Sequence, residues 1–411
     1  MLAPRPLPLQ MAIQTMTWVS SVVALQPWKN GSLNWKPELS PNASALRKKL
    51  QSVDDLAFAD ALTREAGRRM AAFAEGVMAF HAYPRTPRPA PPPAIWAEGT
   101  TRVLDYGTTH THAAEGVPLL IVPSLVNRAH ILDLMDGRSF CRFLAAEGFR
   151  PFLVDWDAPG ELERDFDLGD YIAGRLQSAL DAVVAEAGRA PGIIGYCMGG
   201  NLALALAARN PGRIKALGLL ATPWDFHADM GAGSEGGTGA KTRLLAASLP
   251  QFEVMLQAFG ELPVDALQAF FTGLDPYLPT AKFQHFAARA QKGAQADLFV
   301  ALEDWLNDGV ALTAPVARDC IKGWYVQNDP ARGHWRVAGA PVIPEEVEVP
   351  TLLAIPERDH IVPPASARAL LDALPNAEAL AVAAGHIGMM AGSRAERGLY
   401  RPLARWLRDT L

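Results

Sequence analysis

The chain has 411 residues, 49% of them hydrophobic and 20% charged, which is the composition of a folded globular protein and not of a disordered one. Its 38 basic and 43 acidic residues give a net charge of −5, and this balance argues against nucleic acid as a partner. The three cysteines, Cys141, Cys197 and Cys320, are odd in number and far apart, so we expect no disulfide framework and a cytoplasmic protein.

The first apolar stretch of the chain, 11–25, could be mistaken for a membrane-directed segment. It is too short for a membrane span and contains polar residues such as Gln14 and Ser20. One basic residue, Arg5, precedes it and no small-residue cleavage site follows, which is unlike a signal peptide. We therefore predict a soluble, uncleaved chain, with a helix lying on a membrane or a lipid-coated inclusion as the alternative.

Residues 52–80 have the periodicity of an amphipathic helix, with Ser52 and Asp55 as a capping-box pattern at its start. Apolar residues recur every three or four positions, namely Leu62, Ala66, Met70, Phe73, Val77 and Phe80. The next stretch, 83–93, contains six prolines and predicts an extended linker. Residues 1–93 are thus expected to form a helical arm with a proline-rich linker.

After the linker, short apolar runs alternate with helical patterns such as 170–187 and 202–209. The runs predicted as buried strands are 117–123, 151–156, 192–196, 216–221, 351–355 and 379–383. Buried strands that alternate with helices predict an α/β fold with a mostly parallel sheet covered on both faces.

This alternation stops over 226–348, which opens with a glycine-rich segment, 231–239, and continues through helical patterns rich in phenylalanine. We expect these residues to form a helical cap subdomain over the carboxyl-terminal edge of the sheet, with the glycine-rich segment as a mobile hinge. Residues 94–225 and 349–411 are then the α/β core. Aromatic residues of the cap, including Trp305, Trp324, Tyr325 and Trp335, are interpreted as cap core, with a substrate wall as the alternative.

The segment Gly195-Tyr196-Cys197-Met198-Gly199 directly follows one predicted strand and precedes a helix. This is the setting of a nucleophile elbow, with cysteine where serine is commoner. Glycines two residues before and after the nucleophile permit the close backbone approach of a tight turn. The turn places Cys197 at a helix N-terminus, where the backbone N–H groups favour a thiolate, so Cys197 is predicted as a nucleophile.

Asp359 and His386 each follow a predicted strand, and a thiol nucleophile needs a base and a group that orients the base. The order nucleophile, acid, base along the chain is that of α/β-hydrolases, so we predict a Cys197–His386–Asp359 triad. His360 competes as the base, but it would have to fold back on its own neighbour, and we assign it a supporting position beside the triad.

An oxyanion site needs the N–H after the nucleophile, here Met198, and one from the loop after the early strand, for which we choose Val126. An ordinary strand-to-helix turn is the alternative for that loop. His110 and His112 have no third ligand nearby, so no metal site is predicted. Cys141 and Cys320 are interpreted as packing thiols.

The elbow sequence GYCMGGN, 195–201, resembles the G-x-C-x-G box of polyhydroxyalkanoate synthases, which have cysteine in place of the serine of lipases. The resemblance covers much of 117 to the C-terminus. The chain resembles the shorter, two-component class of synthase more than the long single-chain class. Ser124, Arg128 and His130 stand where the family has proline, lysine and tyrosine. Further similar stretches are PSLVNRAHILDL (123–134), residues 152–156, WLNDG (305–309), WYVQN (324–328), RDHIVP (358–363) and GHIG (385–388).

The resemblance implies an α/β-hydrolase fold and an acyltransferase in which Cys197 accepts the acyl group, His386 is its base and Asp359 assists. The implied substrates are 3-hydroxyacyl-coenzyme A and a polyester chain, with no cofactor. A cysteine-dependent hydrolase, either an intracellular polyester depolymerase or a thioesterase, is the alternative, and a catalytically silent granule-associated protein is a third reading. Acyl chain length, a homodimer, a partner subunit and attachment to polyester granules are left open.

Overall fold

The computed structural model of the chain describes residues 3–228, 237–288 and 293–411, the side chains of 237–241 excepted. The chain divides into two compact units, Met1–Arg85 with Gln268–Asn307, and Thr86–Leu267 with Asp308–Leu411. Residues 268–307, which the sequence analysis assigned to the cap, therefore belong to the unit of the N-terminal helices. Residues 231–236 of the predicted glycine-rich hinge, 231–239, lie outside the described residues.

The larger unit is built on an eight-stranded sheet with the strand order β1-β2-β4-β3-β5-β6-β7-β8. Its strands are β1 (Ala94–Glu98), β2 (Thr101–Asp105), β3 (Val117–Val122), β4 (Phe149–Asp155), β5 (Gly192–Tyr196), β6 (Leu217–Leu220), β7 (Thr351–Pro356) and β8 (Ala377–Val382). The pairs β1–β2 and β2–β4 are antiparallel and all the others are parallel. The predicted mostly parallel sheet is confirmed, and the sequence analysis missed its first two strands, β1 and β2, of which β2 alone runs antiparallel to the rest.

Burial along the strands follows their place in the sheet. The central strands β5 and β6 are buried at every residue, because helices cover both faces of the sheet there. Ile194 of β5 is in register with Ile121 of β3 on one side and with Gly218 of β6 on the other. The edge strand β8 is largely exposed. The unit also contains three short antiparallel pairs, Asp133–Met135 with Arg138–Ser139, Glu261–Leu262 with Leu312–Thr313, and Arg336–Val337 with Ala340–Pro341.

The α-helices, in chain order, are α1 (Leu7–Val23), α2 (Leu25–Asn30), α3 (Ser40–Leu50), α4 (Asp55–Ala82), α5 (Phe140–Ala146), α6 (Gln177–Ala187), α7 (Met198–Arg209), α8 (Gly237–Phe259), α9 (Val264–Thr272), α10 (Leu278–Ala288), α11 (Ala294–Asn307), α12 (Ala314–Arg318), α13 (Pro364–Ala373), α14 (Gly388–Ala391) and α15 (Arg401–Thr410). A π-helical segment, Asp170–Leu176, runs into α6, so the predicted helix 170–187 is present with a different first half. Helix α7 begins four residues before the predicted 202–209. Across the described ranges, no helix is both long and apolar enough to cross a membrane.

The smaller unit contains the predicted amphipathic helix as α4. Its N-cap is Asp54 and not Ser52, since the extended backbone of Asp54 lets its carboxylate accept the Ala57 N–H at 2.9 Å. Phe73 and Phe80 of α4 meet Phe283 of α10 edge-on, with ring centroids 6.1 and 5.6 Å apart. The two helices approach each other so closely at Gly76 that a Cβ there would lie 2.0 Å from the Phe283 carbonyl oxygen.

Candidate active site

The sharp turn between β5 and α7 carries Cys197, whose backbone has φ 56° and ψ −128°. This left-handed conformation is uncommon for a residue with a side chain and marks a strained turn. A Cβ on Gly195 would lie 2.5 Å from the Gly199 carbonyl oxygen, and one on Gly199 would lie 2.1 Å from the Val122 carbonyl oxygen. The two glycines of the elbow are therefore required by close backbone contact, as predicted.

Cys197 is placed to react. Its N–H donates to the Leu220 carbonyl of β6 at 2.8 Å, which fixes the turn against the sheet, and its side chain is half-buried. Helix α7 begins at Met198, so the first backbone N–H groups of the helix have no acceptor in a preceding turn and lie beside Cys197. Such a helix N-terminus stabilises negative charge on a thiolate or on an oxyanion.

His386 and Asp359 lie just beyond the carboxyl ends of β8 and β7, and both are buried. His386 Nδ1 is 2.7 Å from Asp359 Oδ2. The other carboxylate oxygen, Oδ1, accepts the N–H groups of Ile361 and Val362 at 2.8 and 2.9 Å. The acid is thereby held in one orientation by its own loop, and its bond to Nδ1 leaves Nε2 as the nitrogen that can exchange a proton with Cys197.

The electrostatics of the imidazole link it to the thiol. Burial disfavours the charged ring, but the charge of Cys197 and hydrogen bonds with Asp359 and Cys197 outweigh it and raise the pKa of His386 to about 10. The structure thus brings together the three residues that the sequence analysis predicted as a triad. Their arrangement can ionise a thiol, hold the resulting proton on an oriented imidazole and return it to a leaving group.

Tyr196 is a site residue that the sequence analysis missed. Tyr196 directly precedes Cys197 in the sequence and is buried. Its hydroxyl donates to the His386 carbonyl oxygen at 3.2 Å. Its ring lies 5.2 Å from the imidazole, centroid to centroid, at an interplanar angle of 31°. Its place inside the elbow motif was visible in the sequence, but only the folded chain shows that its side chain reaches the histidine loop.

The predicted oxyanion loop, 123–127, follows β3. The Val126 N–H donates to Ser124 Oγ at 3.1 Å, and the Val126 carbonyl accepts the Val310 N–H at 3.2 Å. Asn127 forms an isolated β-bridge with Gly309. The loop is therefore fixed by residues 309–310, and the N–H of Val126 is engaged within its own turn, whereas Met198 lies at the helix N-terminus as predicted.

The departures from the synthase motif in this loop carry charge contacts. Arg128 pairs with Asp157, and its Nε lies 3.6 Å from Asp308 Oδ2. Burial, together with the charges of Arg88 and Arg128, lowers the pKa of His130 to about 3, so its imidazole is neutral at pH 7. These contacts hold the loop in place and supply no group to the triad.

An aromatic cluster of the larger unit lies around the segment 324–335. The ring centroid of Phe226 lies 5.4 Å from that of Trp324, in a tilted pair, and 5.0 Å from that of Tyr325, edge-on. Trp324 in turn meets Trp335 edge-on at 5.3 Å between ring centroids. Trp324 and Trp335 are buried, which agrees with their interpretation as packing residues. Tyr325 is half-buried, and burial together with the charges of Cys197 and Cys320 raises the pKa of its hydroxyl above the usual range.

The remaining candidates lie apart from the triad. His360 is exposed, while its neighbour Asp359 is buried, so the two side chains point in different directions. Cys141 and Cys320 are buried, and burial raises the pKa of each thiol, as befits packing residues. Within the ranges that the structure describes, no group of three or more potential ligands, His110 and His112 included, is placed to hold a metal ion.

Comparison with known proteins adds two findings. A family described as "alpha/beta hydrolase fold" matches residues 117–393. Three curated proteins named "Poly(3-hydroxyalkanoate) polymerase subunit PhaC" are similar over most of the chain. That of Synechocystis sp. is 30% identical over 302 residues, which are 71% of this chain and 78% of the relative.

The second of these relatives, from Allochromatium vinosum, is 27% identical over 369 residues, or 88% of this chain and 94% of that protein. The third, from Haloferax mediterranei, is 29% identical over 323 residues, which are 78% of this chain. The matched part of this chain spans 64% of the Haloferax relative's own length.

Proposed function

Because the chain belongs to the poly(3-hydroxyalkanoate) polymerase family, within the alpha/beta hydrolase fold, we propose that it moves 3-hydroxyacyl groups from coenzyme A, through a thioester on Cys197, into a polyester. The observation that carries this proposal is the buried Asp359–His386 pair at 2.7 Å, beside a cysteine held at φ 56° in the elbow. The names of the relatives support the polymer as product.

In the first step, the Cys197 thiolate attacks the carbonyl carbon of the acyl thioester, and negative charge develops on the carbonyl oxygen. The N–H groups at the start of α7 lie where they can stabilise that charge. When the intermediate collapses, the bond to the coenzyme A sulfur breaks, and the imidazolium of His386 gives its proton to that sulfur. The acyl group is then bound to Cys197 as a thioester.

In the second step, neutral His386 removes the proton from a hydroxyl of the next hydroxyacyl group, and that oxygen attacks the thioester. A new ester bond forms, the bond to Cys197 breaks, and the thiol recovers its proton from His386. Asp359 keeps the imidazole in the tautomer with its proton on Nδ1 and stabilises the imidazolium in both steps. Asp359 is therefore an orienting group and is not itself a proton carrier.

Cysteine suits transfer better than hydrolysis. Exchange of one thioester for another is nearly balanced in free energy, and the enzyme-bound thioester stays open to attack by a hydroxyl. Whether the acceptor is a hydroxyl or water depends on access to Cys197. We propose that the site excludes water, which would favour the hydroxyl of the growing chain as the acceptor.

The proposed reaction uses the coenzyme A thioester as a substrate and needs no further cofactor. We place the protein in the cytoplasm, at the surface of polyester granules where its product accumulates. The word "subunit" in the relatives' names supports a partner subunit for this chain as well. A homodimer is the other assembly compatible with the proposal.

The test is to incubate the purified full-length protein with 3-hydroxybutyryl-coenzyme A and to measure free coenzyme A, insoluble polymer and free 3-hydroxybutyrate together. The proposal expects release of coenzyme A to match incorporation into polymer. Release matched by free hydroxy acid would replace it with the cysteine-dependent hydrolase. A Cys197→Ala protein that still releases coenzyme A at the normal rate would overturn both.

A further inference from the structure

Helix α1 of the smaller unit presents a mainly apolar face to solvent. Its longest polar side chains lie on the other side, where Gln10 is buried and its amide donates to the Thr272 hydroxyl at 3.1 Å. A surface helix normally turns its apolar side to the core, so this pattern is reversed. At about 100° per residue, the exposed residues of 11–23 fall within about half of the helix circumference. They are Met11, Thr15, Met16, Val19, Ser20, Val22 and Val23.

This face of α1 is both strongly exposed and uncharged. The exposed fractions of its large apolar residues range from 36% for Val22 to 72% for Val23. The surrounding stretch, 6–28, contains no Asp, Glu, Lys or Arg. An exposed apolar face on a folded protein marks an interaction site, and a face without charge suits a partner that offers an apolar medium.

A basic segment follows this face along the chain. Residues 29–49 contain five basic residues and one acid, Glu38, a net charge of +4, whereas the whole chain carries −5. Lys29 pairs with Asp55 at 2.5 Å, and with both acids at the start of α4 counted the net charge is still +2. The five basic residues are Lys29, Lys36, Arg47, Lys48 and Lys49.

The folded helices hold this charge near the end of the apolar face. Helix α2 begins one residue after α1 ends and is six residues long, about 9 Å. Arg47 of α3 donates to the main-chain carbonyls of Lys29 and Asn30, at the end of α2, at 3.2 and 3.1 Å. Lys48 and Lys49 are exposed beside it, and within the described residues neither forms a salt bridge. Uncompensated positive charge therefore lies close to α1.

Two tryptophans lie between the apolar and the basic residues. Trp28 of α2 and Trp35, which precedes α3, have ring centroids 4.7 Å apart. Trp35 is 40% exposed, and Leu39 and Leu46 are exposed as well. Tryptophan is enriched where a membrane's hydrocarbon meets water, because its ring is apolar and its N–H is polar. Apolar, interfacial and basic side chains are thus combined in α1–α3.

From this combination we propose that α1–α3 bind the surface of a membrane that contains anionic phospholipid. The apolar face of α1 enters the boundary between headgroups and acyl chains, and Lys36, Lys48 and Lys49 bind lipid phosphates. This is the alternative that the sequence analysis left open for 11–25. The inference depends only on these helices and not on the proposed acyl transfer.

Other partners fit only part of the pattern. A neutral polymer would leave the net charge of +4 in 29–49 without a counterpart. A nucleic acid would match that charge but not the uncharged face of α1. A second copy of the chain would bring two positive segments to one interface, where they repel each other.

The proposal is tested by co-sedimentation of the purified full-length protein with two kinds of vesicle. One is phosphatidylcholine alone, and the other also contains about 30 mol% of the anionic lipid phosphatidylglycerol. Particles of poly(3-hydroxybutyrate) without lipid are a third surface. We expect at least about tenfold tighter binding to the anionic vesicles than to phosphatidylcholine, and weaker binding as salt is raised from about 0.05 to about 0.5 M.

Met16→Glu tests the apolar face. Its carboxylate would have to enter the lipid boundary and would be repelled by anionic headgroups, so binding should fall at least about tenfold. Met78→Glu is the matched control, because Met78 is a similarly exposed methionine of the same unit, on α4 and outside α1–α3. It should bind as the parent does. Both side chains are exposed, so both variants should keep the parent's unfolding temperature.

The role of charge is tested by Lys48→Gln combined with Lys49→Gln. This double variant should bind anionic vesicles about tenfold more weakly and should bind phosphatidylcholine as the parent does. The control is Lys215→Gln, at an exposed lysine of the larger unit, which should leave both affinities unchanged.

The proposal is overturned by equal binding to the two kinds of vesicle, by no binding to either, or by binding that survives Met16→Glu. Binding to polyester particles that Met16→Glu abolishes, without a preference for anionic vesicles, would assign the face to a neutral polymer instead. Self-association that Met16→Glu abolishes, without vesicle binding, would assign it to a second copy. Either of these results also overturns the membrane proposal, and neither bears on acyl transfer, which is measured separately.

Discussion

The elbow at the sheet edge and the exposed face of α4 around Gly67 differ in how tightly neighbouring atoms surround them. At the sheet edge, Asp359 is bonded through both oxygens, and the histidine loop is tied to Tyr196. On α4 of the smaller unit, Gly67 is exposed, and a Cβ there would have nothing within 4 Å. A site for chemistry is preorganised by its own bonds, whereas an exposed helix position has no such constraint.

The elbow glycines are held against backbone atoms, as is Gly76 elsewhere on α4, while Gly67 has open space beside it. The elbow should therefore tolerate almost no added side chain, whereas position 67 should tolerate one. The following predictions test this contrast, beginning with the largest expected effect.

Cys197→Ala should abolish acyl transfer, a loss on the order of 10⁴-fold or more, because no other group in the elbow can form the thioester. Its folding should change little, since the side chain is half-buried and the alanine is smaller. Cys197→Ser should be far slower than the natural protein, because a hydroxyl ionises much less readily than a thiol. Coenzyme A release, with unfolding temperatures alongside, measures both; wild-type turnover in Cys197→Ala would refute the mechanism.

His386→Ala and Asp359→Asn should each lower turnover by roughly 10³- to 10⁴-fold, and they should differ in the step affected. His386→Ala retains slow acylation, because a thiol at a helix N-terminus is partly ionised unaided. Asp359→Asn should acylate faster than His386→Ala but pass the acyl group on slowly, since its imidazole is badly oriented for the incoming hydroxyl. Rapid-quench measurement of coenzyme A release separates the two steps; identical acylation rates would contradict these roles.

Gly199→Ala should lower the free energy of unfolding by about 1–3 kcal/mol, since its Cβ would lie 2.1 Å from the Val122 carbonyl oxygen. Gly67→Ala should raise that free energy by about 0.5–1 kcal/mol, because alanine favours a helix and meets no neighbour within 4 Å. Urea unfolding of the two variants compares the regions directly. Equal effects of the two substitutions would remove the contrast between the elbow and the exposed position on α4.

Tyr196→Phe should lower turnover about tenfold while leaving KM unchanged, because the loss of the bond to the His386 carbonyl loosens the base and not the substrate. The unfolding free energy should fall by about 1 kcal/mol. Tyr400→Phe is the matched control, since its buried hydroxyl likewise donates to a main-chain carbonyl, that of Met390. It should lose similar stability and keep full turnover; equal losses of activity would make the role of Tyr196 merely structural.

Alkaline pH should destabilise the protein through His386. The folded ring keeps its proton up to about pH 10, whereas an unfolded histidine releases it near its ordinary pKa of about 6.5. The stabilisation is therefore complete below that lower pKa and is lost as pH rises toward 10. Urea unfolding from pH 7 to 10 should show a steeper fall for the natural protein than for Cys197→Ala, which lacks the charge that favours the imidazolium. Parallel slopes would contradict this coupling.

The parallel strands could be predicted from the sequence because they are apolar runs, such as 117–123, and an apolar composition indicates burial directly. The elbow could be predicted because sterics require glycines at fixed positions before and after Cys197. The role of Tyr196 could not be predicted, since the contact of its hydroxyl with the loop of His386 joins two segments 190 residues apart.

The helical unit was less predictable. Periodicity identified α4 but could not show that residues 268–307 pack with it. An apolar helix face indicates that the face is buried, but it does not indicate which segment covers it. The sequence analysis predicted Ser52 as the N-cap of α4, whereas the N-cap is Asp54. Either residue type can cap a helix, and only backbone geometry decides between them.

The central claim is a thioester on Cys197, and it is tested most directly by trapping that intermediate. Asp359→Asn protein, slow to pass the acyl group on, is mixed with radiolabelled 3-hydroxybutyryl-coenzyme A, quenched in acid and digested. The account predicts that label is found on the peptide carrying Cys197, is released by neutral hydroxylamine as a thioester would be, and is absent from the Asp359→Asn protein that also carries Cys197→Ala. Label on another residue, or equal label without Cys197, would contradict it.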